Sequence, residues 1–121
     1  MNILFAGSPQ SSARILEFLF KKDDIRVVGA ITQPDKRSGR GKNLIESDVS
    51  LNANVLGIRT FKPENLNTQE IKDEISSLEI DFLVVIAYGK IIPNWLLKLP
   101  KISPINTVSY THLTLPTIPQ V

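Results

Sequence analysis

The sequence contains no cysteine and a single histidine, His112. The first absence excludes a disulfide scaffold, a thiolate metal site and a cysteine nucleophile, and it fits a reducing compartment. The lone imidazole lies in a Thr- and Pro-rich tail with no carboxylate nearby, so it reads as a bystander, and no metal is expected. Long apolar runs are missing too. The longest, Phe82 to Ala87, is far too short to cross a bilayer, and the apolar start Ile3 to Ala6 has only a strand's length and no basic flank of a signal peptide. A soluble intracellular protein is therefore expected, in the cytoplasm or an organelle matrix and with no membrane partner. Glycine is scarce where a dinucleotide site would need it. Gly7 stands alone where three spaced glycines would let a pyrophosphate approach the backbone. The second candidate strand ends in Ala30-Ile31-Thr32, with no acid to take a ribose 2′-hydroxyl, so nicotinamide and flavin dinucleotides are set aside.

What is present makes one domain. With 121 residues, 42% of them hydrophobic and 21% charged, the chain can bury roughly two-thirds of its unfolded surface, but it has no room for separate catalytic and recognition domains. Its formal charge of +2 is small and unevenly placed. Lys36, Arg37, Arg40 and Lys42 follow Asp35 within a few positions, and outside these five residues the acidic side chains slightly outnumber the basic ones. The whole positive excess sits in one segment. Gly39 and Gly41 flank Arg40, so the backbone can bend while presenting a guanidinium that pairs bidentately with phosphate. The same composition also describes a solvated mobile loop. The segment has no aromatic side chain for base stacking, which favours contact with a nucleic-acid backbone over sequence readout.

Strand and helix signals alternate along the chain. Asn2 to Ala6 predicts a buried strand, and Gly7-Ser8-Pro9 supplies a turn, a candidate N-cap and a proline suited to the first helical turn. Ala13, Ile15, Leu16, Leu19 and Phe20 recur at helical spacing ahead of Lys21 and Lys22. Ile25 to Thr32 predicts a second strand. Val49, Ala53 and Leu56 mark a second helix, capped by Ser47 or Asp48 and stopped by Gly57. Ile58 to Phe61 is a brief third strand, and Asn67 with Glu70 has capping-box spacing before Ile71, Ile75 and Leu78. Ile80 to Ala87 reads as a central parallel strand, and Pro93 opens a short helix. Ile102 to Asn106 predicts a fifth strand, weakened by Pro104. This order predicts an α/β fold with a doubly wound, mostly parallel sheet and ligands at the carboxyl ends of its strands. Those ends are Gly7-Ser8, the segment after Thr32, Ala87-Tyr88-Gly89 and Asn106. Tyr88 would place a phenol on a cleft floor, or pack with its hydroxyl at the surface. Asn106 is a neutral donor able to polarise a carbonyl oxygen, although a lone asparagine also commonly caps a turn.

In this order and spacing, several segments resemble the N-terminal part of the methionyl-tRNA formyltransferases. They are Leu4-Phe5-Ala6-Gly7-Ser8-Pro9, Thr32-Gln33-Pro34-Asp35 running on to Gly39-Arg40-Gly41-Lys42, Pro63-Glu64-Asn65-Leu66, Val85-Ile86-Ala87-Tyr88-Gly89 with Ile92-Pro93, and Ile105-Asn106. The Thr-Gln-Pro-Asp to Gly-Arg-Gly-Lys stretch is the most discriminating, because related folate-dependent enzymes acting on small amines generally lack it. The resemblance implies a Rossmann-like formyltransferase domain. It implies transfer of a formyl group from 10-formyltetrahydrofolate, as co-substrate, to the amino group of methionyl initiator tRNA. Arg40 and Lys42 would contact the tRNA, Tyr88 and Gly89 would line the folate cleft, and Asn106 would be the catalytic asparagine. The complete enzyme would be a monomer.

The resemblance covers residues 1 to about 107. The family continues Asn-x-His, a Ser-Leu-Leu-Pro folate loop, a later catalytic aspartate and a C-terminal barrel. Here the histidine position is Val108, and His112 lies four residues too late. From Thr107 to Val121 no Asp, Glu, Lys or Arg occurs, and Val108 to Thr117 resembles a translated sequencing-adaptor peptide. Residues 1–107 are therefore expected to form a partial, truncated N-terminal domain, residues 108–121 a non-native tail, and the chain an inactive fragment. Two other readings stand beside this one: a non-catalytic RNA-binding fragment, and another 10-formyltetrahydrofolate-using formyltransferase or hydrolase.

Overall fold

The computed structural model describes residues 1–38 and 43–107. The apolar run near the N-terminus forms β1 (Asn2–Gly7), whose alternating side chains serve two cores. Ile3 and Phe5 enter one and Leu4 and Ala6 the other, all four buried. A strand buried on both faces belongs at the centre of a sheet. β1 pairs in parallel with β2 (Arg26–Ile31) on one side and with β6 (Phe82–Ile86) on the other.

Beyond β2 lies β5 (Thr60–Phe61), and beyond β6 lies β7 (Ser103–Thr107), both parallel to their neighbours. The order is β5-β2-β1-β6-β7. Helices α1 (Gln10–Phe20) and α2 (Asp48–Leu56) cover one face, burying Ala13, Leu16, Val49 and Ala53 against Ile3 and Phe5. On the opposite face α3 (Gln69–Ser76) and α4 (Asn94–Leu97) contribute Ile75 and Leu96 to the core around Leu4 and Leu83. This is the doubly wound α/β architecture. The chain winds outward from β1 in both directions, so the topological switch falls between the carboxyl ends of β1 and β6.

Local chemistry explains most boundaries. Ser47 caps α2 by accepting from the Ser50 amide at 3.0 Å, and Gly57 closes it in the left-handed conformation at φ 77°. Pro104 sits on β7, which among the described residues pairs on one side only and so tolerates a missing N–H. Three expectations need correction. Pro9 is itself the N-cap of α1, without a side-chain cap, because the Ser8 hydroxyl is turned to the Tyr88 carbonyl. The cap of α3 is Thr68 rather than Asn67, because the Asn67 amide is taken by the Asn65 carboxamide at 2.8 Å and the helix starts one residue later. The basic segment is more than a loop: β3 (Lys36–Ser38) and β4 (Asn43–Ile45) pair as an antiparallel ribbon, with Lys36 opposite Ile45. Among the described residues, no helix is long and apolar enough to cross a membrane.

Candidate functional site

At the switch point the backbone is packed too tightly for side chains. A Cβ on Gly7 would lie 2.6 Å from the Ile86 carbonyl oxygen and 2.8 Å from the Ser12 Cβ, so the turn after β1 requires glycine. The Ser12 hydroxyl donates to that same Ile86 carbonyl and locks α1 to the end of β6. The chain then turns sharply, with Ala87 at φ 52° and Gly89 at φ 90°. A non-glycine residue in the left-handed region carries backbone strain, and such strain is often found at binding sites.

These two reversals direct the Tyr88 carbonyl back towards β1. It accepts from the Gln33 carboxamide at 2.9 Å and from the Ser8 hydroxyl at 3.2 Å. Since each hydroxyl has one proton, the direction of the chain follows. Ser8 donates to Tyr88, so it accepts from the Thr32 hydroxyl at 3.4 Å; Thr32 in turn accepts from Ser47, whose oxygen also receives the Ser50 amide. One relay thus joins α2, β2, β1 and the loop after β6. A Cβ on Gly89 would fall 2.1 Å from the Gln33 Nε2 and break the carboxamide bond in it.

Two clefts flank this junction and share Ala87. The first, of about 610 Å³, lies between the Ser8-Pro9 turn, Gln33-Pro34, Lys36 and the start of α2 at Ser47-Asp48. The second, of about 570 Å³, is lined by Tyr88, Gly89, Ile91, Ile92 and Asn106 among others. Both have the size of small-molecule sites. Asn106 stands beside Val85 in the β6–β7 register, with its side chain exposed. Asn106, Tyr88 and Gly89 therefore share one cleft.

Tyr88 lines the second cleft and packs in the core as expected, and what departs from expectation is its hydroxyl. Tyr88 is 2% exposed, its ring belongs to the core with Leu83 and Leu96, and its hydroxyl is buried without a hydrogen-bond partner. The hydroxyl is neither on the cleft floor nor at the surface, because the left-handed turn at Ala87 points the ring inward and the carbonyl outward. Burial pushes the phenol up to about 12, so it stays protonated at neutral pH. Arg40 and Lys42 lie outside the described residues, as do Val108, His112 and the tail. Lys36, at the root of the same ribbon, does line the first cleft.

One group has no precedent in the sequence reading. Lys62, just after β5, places its ammonium 2.8 Å from Asp35 Oδ1 and 3.3 Å from Glu46 Oε1. Asp35 precedes β3 and Glu46 follows β4. Burial alone would lower the Lys62 pKa, but hydrogen bonds and charge from the two carboxylates outweigh it and hold it above its ordinary value. Glu46 is held below the ordinary carboxylate range, chiefly by the Ser50 hydroxyl and then by Lys62. No periodicity or motif flags Lys62, since its partners are distant in sequence.

A family model described as formyl transferase matches residues 1–108. The chain belongs to the formyl transferase family. The match includes both clefts, the hydroxyl relay and Asn106, so the formyl transferase domain carries its clefts at the switch point. Family membership implies transfer of a formyl group from a formyl-tetrahydrofolate donor. For that reaction the second cleft offers the Asn106 carboxamide, a neutral donor suited to the oxygen that gains charge when an amine attacks the formyl carbon. Its walls of Val85, Ile91, Ile92 and Leu97 suit a flat conjugated ring.

Proposed function

We propose that the acceptor of this formyl transferase is methionyl initiator tRNA and the donor 10-formyltetrahydrofolate, with the donor beside Asn106 and the basic ribbon against the acceptor arm. One observation carries the reading: the chain's entire positive excess falls in one stretch of sequence, Lys36 to Lys42, and Lys36, where that stretch begins, lines a cleft of the switch point. A small amine acceptor has no use for such a stretch, whereas a polyanion does. Asn106 acts as oxyanion donor, Tyr88 and Gly89 shape the folate cleft through their backbone, and Arg40 and Lys42 contact phosphates. The position two residues after Asn106 is Val108 where the family has histidine. Departure of the folate nitrogen needs a proton, so the 121-residue chain is expected to bind its substrates and to give no detectable transfer.

The test pairs binding with turnover. Charged initiator tRNA should bind with strong salt dependence, and Arg40→Ala or Lys42→Ala should each lower the slope against log salt by about 1. Folate should bind, and Asn106→Trp, which fills the second cleft, should abolish that binding. Salt-insensitive tRNA binding would refute the proposal, and transfer at the rate of a complete enzyme would refute the expected inactivity of the 121-residue chain. RNA binding without folate binding would favour a non-catalytic RNA-binding chain, and folate chemistry indifferent to RNA would favour another formyltransferase or a hydrolase.

A further inference from the structure

We propose that Lys62 is a positioning residue that fixes the direction in which the β3–β4 ribbon leaves the sheet and thereby sets how the basic segment is presented to an RNA ligand. The RNA part of this rests on the function proposed above. The ribbon itself has only three residue pairs, too few to hold a direction unaided. Its orientation must come from its stem, and the stem has two braces.

The inner brace is the hydroxyl pair of Thr32 and Ser47, which ties the end of β2 to the cap of α2. The outer brace is Lys62. Its two partners stand on the two sides of the ribbon, each one residue outside the Lys36–Ile45 pair. The backbone that carries Lys62 is tied to the sheet, because the Phe61 carbonyl immediately before it accepts the Thr32 amide at 2.9 Å. Glu46 Oε1 is anchored too, by the Ser50 hydroxyl and by the Asn54 carboxamide at 3.1 Å, both on α2. Lys62 therefore links β5, α2 and both strands of the ribbon at one point. All three side chains are half-buried, so the pairs are less screened than exposed ones. Without the ammonium, two carboxylates would converge on an empty point at the ribbon's root, and their repulsion would splay its strands.

Direct phosphate contact and positioning make opposite predictions. The absence of native cysteine allows a nitroxide to be placed on the full chain through Leu44→Cys alone, at an exposed position of β4. In this background the label should report an ordered ribbon. Lys62→Met should shift it to fast nanosecond motion, while a control label at Ser76→Cys on α3 stays unchanged. Affinity for initiator tRNA should fall about fivefold, as expected if the aimed conformation drops to roughly a fifth of the population. The slope against log salt should not change, and Lys62→Arg should restore both readouts.

Asp35→Asn is a second, independent variant and the sharper one. It removes a negative charge and so should strengthen RNA binding on electrostatics alone, but as a broken brace it should weaken it. A slope lowered by about 1 in Lys62→Met would make Lys62 a phosphate contact and overturn the proposal. So would an unmoved label, or tighter binding by Asp35→Asn. If the parent chain binds no RNA even at low salt, the RNA reading fails and the proposal falls with it; RNA binding that ignores Lys62 sinks the proposal alone.

Discussion

Tyr88 contributes through its backbone and is penalised at its side-chain tip. Its carbonyl holds Ser8 and Gln33 at the switch point, while its hydroxyl lies in an apolar core without a partner. An unpaired buried hydroxyl forfeits about 1–3 kcal/mol of hydration. Tyr88→Phe should therefore leave urea stability at pH 7 unchanged or raise it by about 1 kcal/mol, with most of the ring's packing retained. The pH dependence has a definite sign. The native phenol titrates near 12 against an ordinary value of 10.0, so the native state holds the proton more tightly than the unfolded chain does. The contribution is complete below pH 10 and is lost as pH climbs towards 12, reaching about 2–3 kcal/mol. Chemical denaturation of parent and Tyr88→Phe at pH 7 and pH 11 checks this: the parent should lose more stability than the variant, and parallel losses would place the hydroxyl in a solvated or hydrogen-bonded site. The inward phenol was not legible in the sequence. Its direction follows from the positive φ of Ala87, and alanine carries no signal for that conformation.

Among the elements, α2 shows where local chemistry suffices and where it does not. Ser47 and Gly57 are readable as its ends because capping involves residues only a few positions apart. The further role of Ser47, in the relay to Thr32, Ser8 and Tyr88, depends on strands brought together by the fold. The β3–β4 ribbon is the extreme case: its three-residue arms are too short to show alternation, and its braces come from Lys62 and α2. The five strands of the parallel sheet and the placing of Gly89 and Asn106 at its strand ends were legible, because buried runs and the turn residues after them mark where each strand stops. Ser47→Ala should accordingly cost more than an ordinary cap, about 1–2 kcal/mol, since it also removes the donor to buried Thr32. Thr68→Ala, whose oxygen accepts only the Ile71 amide at an exposed 3.4 Å, should cost about 0.5 kcal/mol. Urea titrations with matched m-values compare the two, and equal costs would mean the relay adds no stability.

For the molecule as a whole, the sheet's two ends are unequal. β5 presents only two residues at its edge, too short a template for pairing. β7 presents five, and among the described residues it pairs on one side only, with β6. Ile102 and Ile105 on or beside it are 62% and 44% exposed, and Pro104 blunts a single position. An apolar strand with unpaired backbone groups recruits other strands, so the chain should self-associate as its concentration rises. Ile105→Lys should suppress this, because a charge on an edge strand opposes pairing without entering either core. Light scattering after size-exclusion at low and high concentration measures it, and a parent chain monomeric throughout would remove the premise. The same edge carries Asn106, the next residue along β7 and a wall of the second cleft. Association through β7 would cover that cleft, so folate binding by the parent should weaken as protein concentration increases. In Ile105→Lys it should become independent of concentration. Association that leaves folate affinity untouched would show that the chains meet through a surface other than the β7 edge.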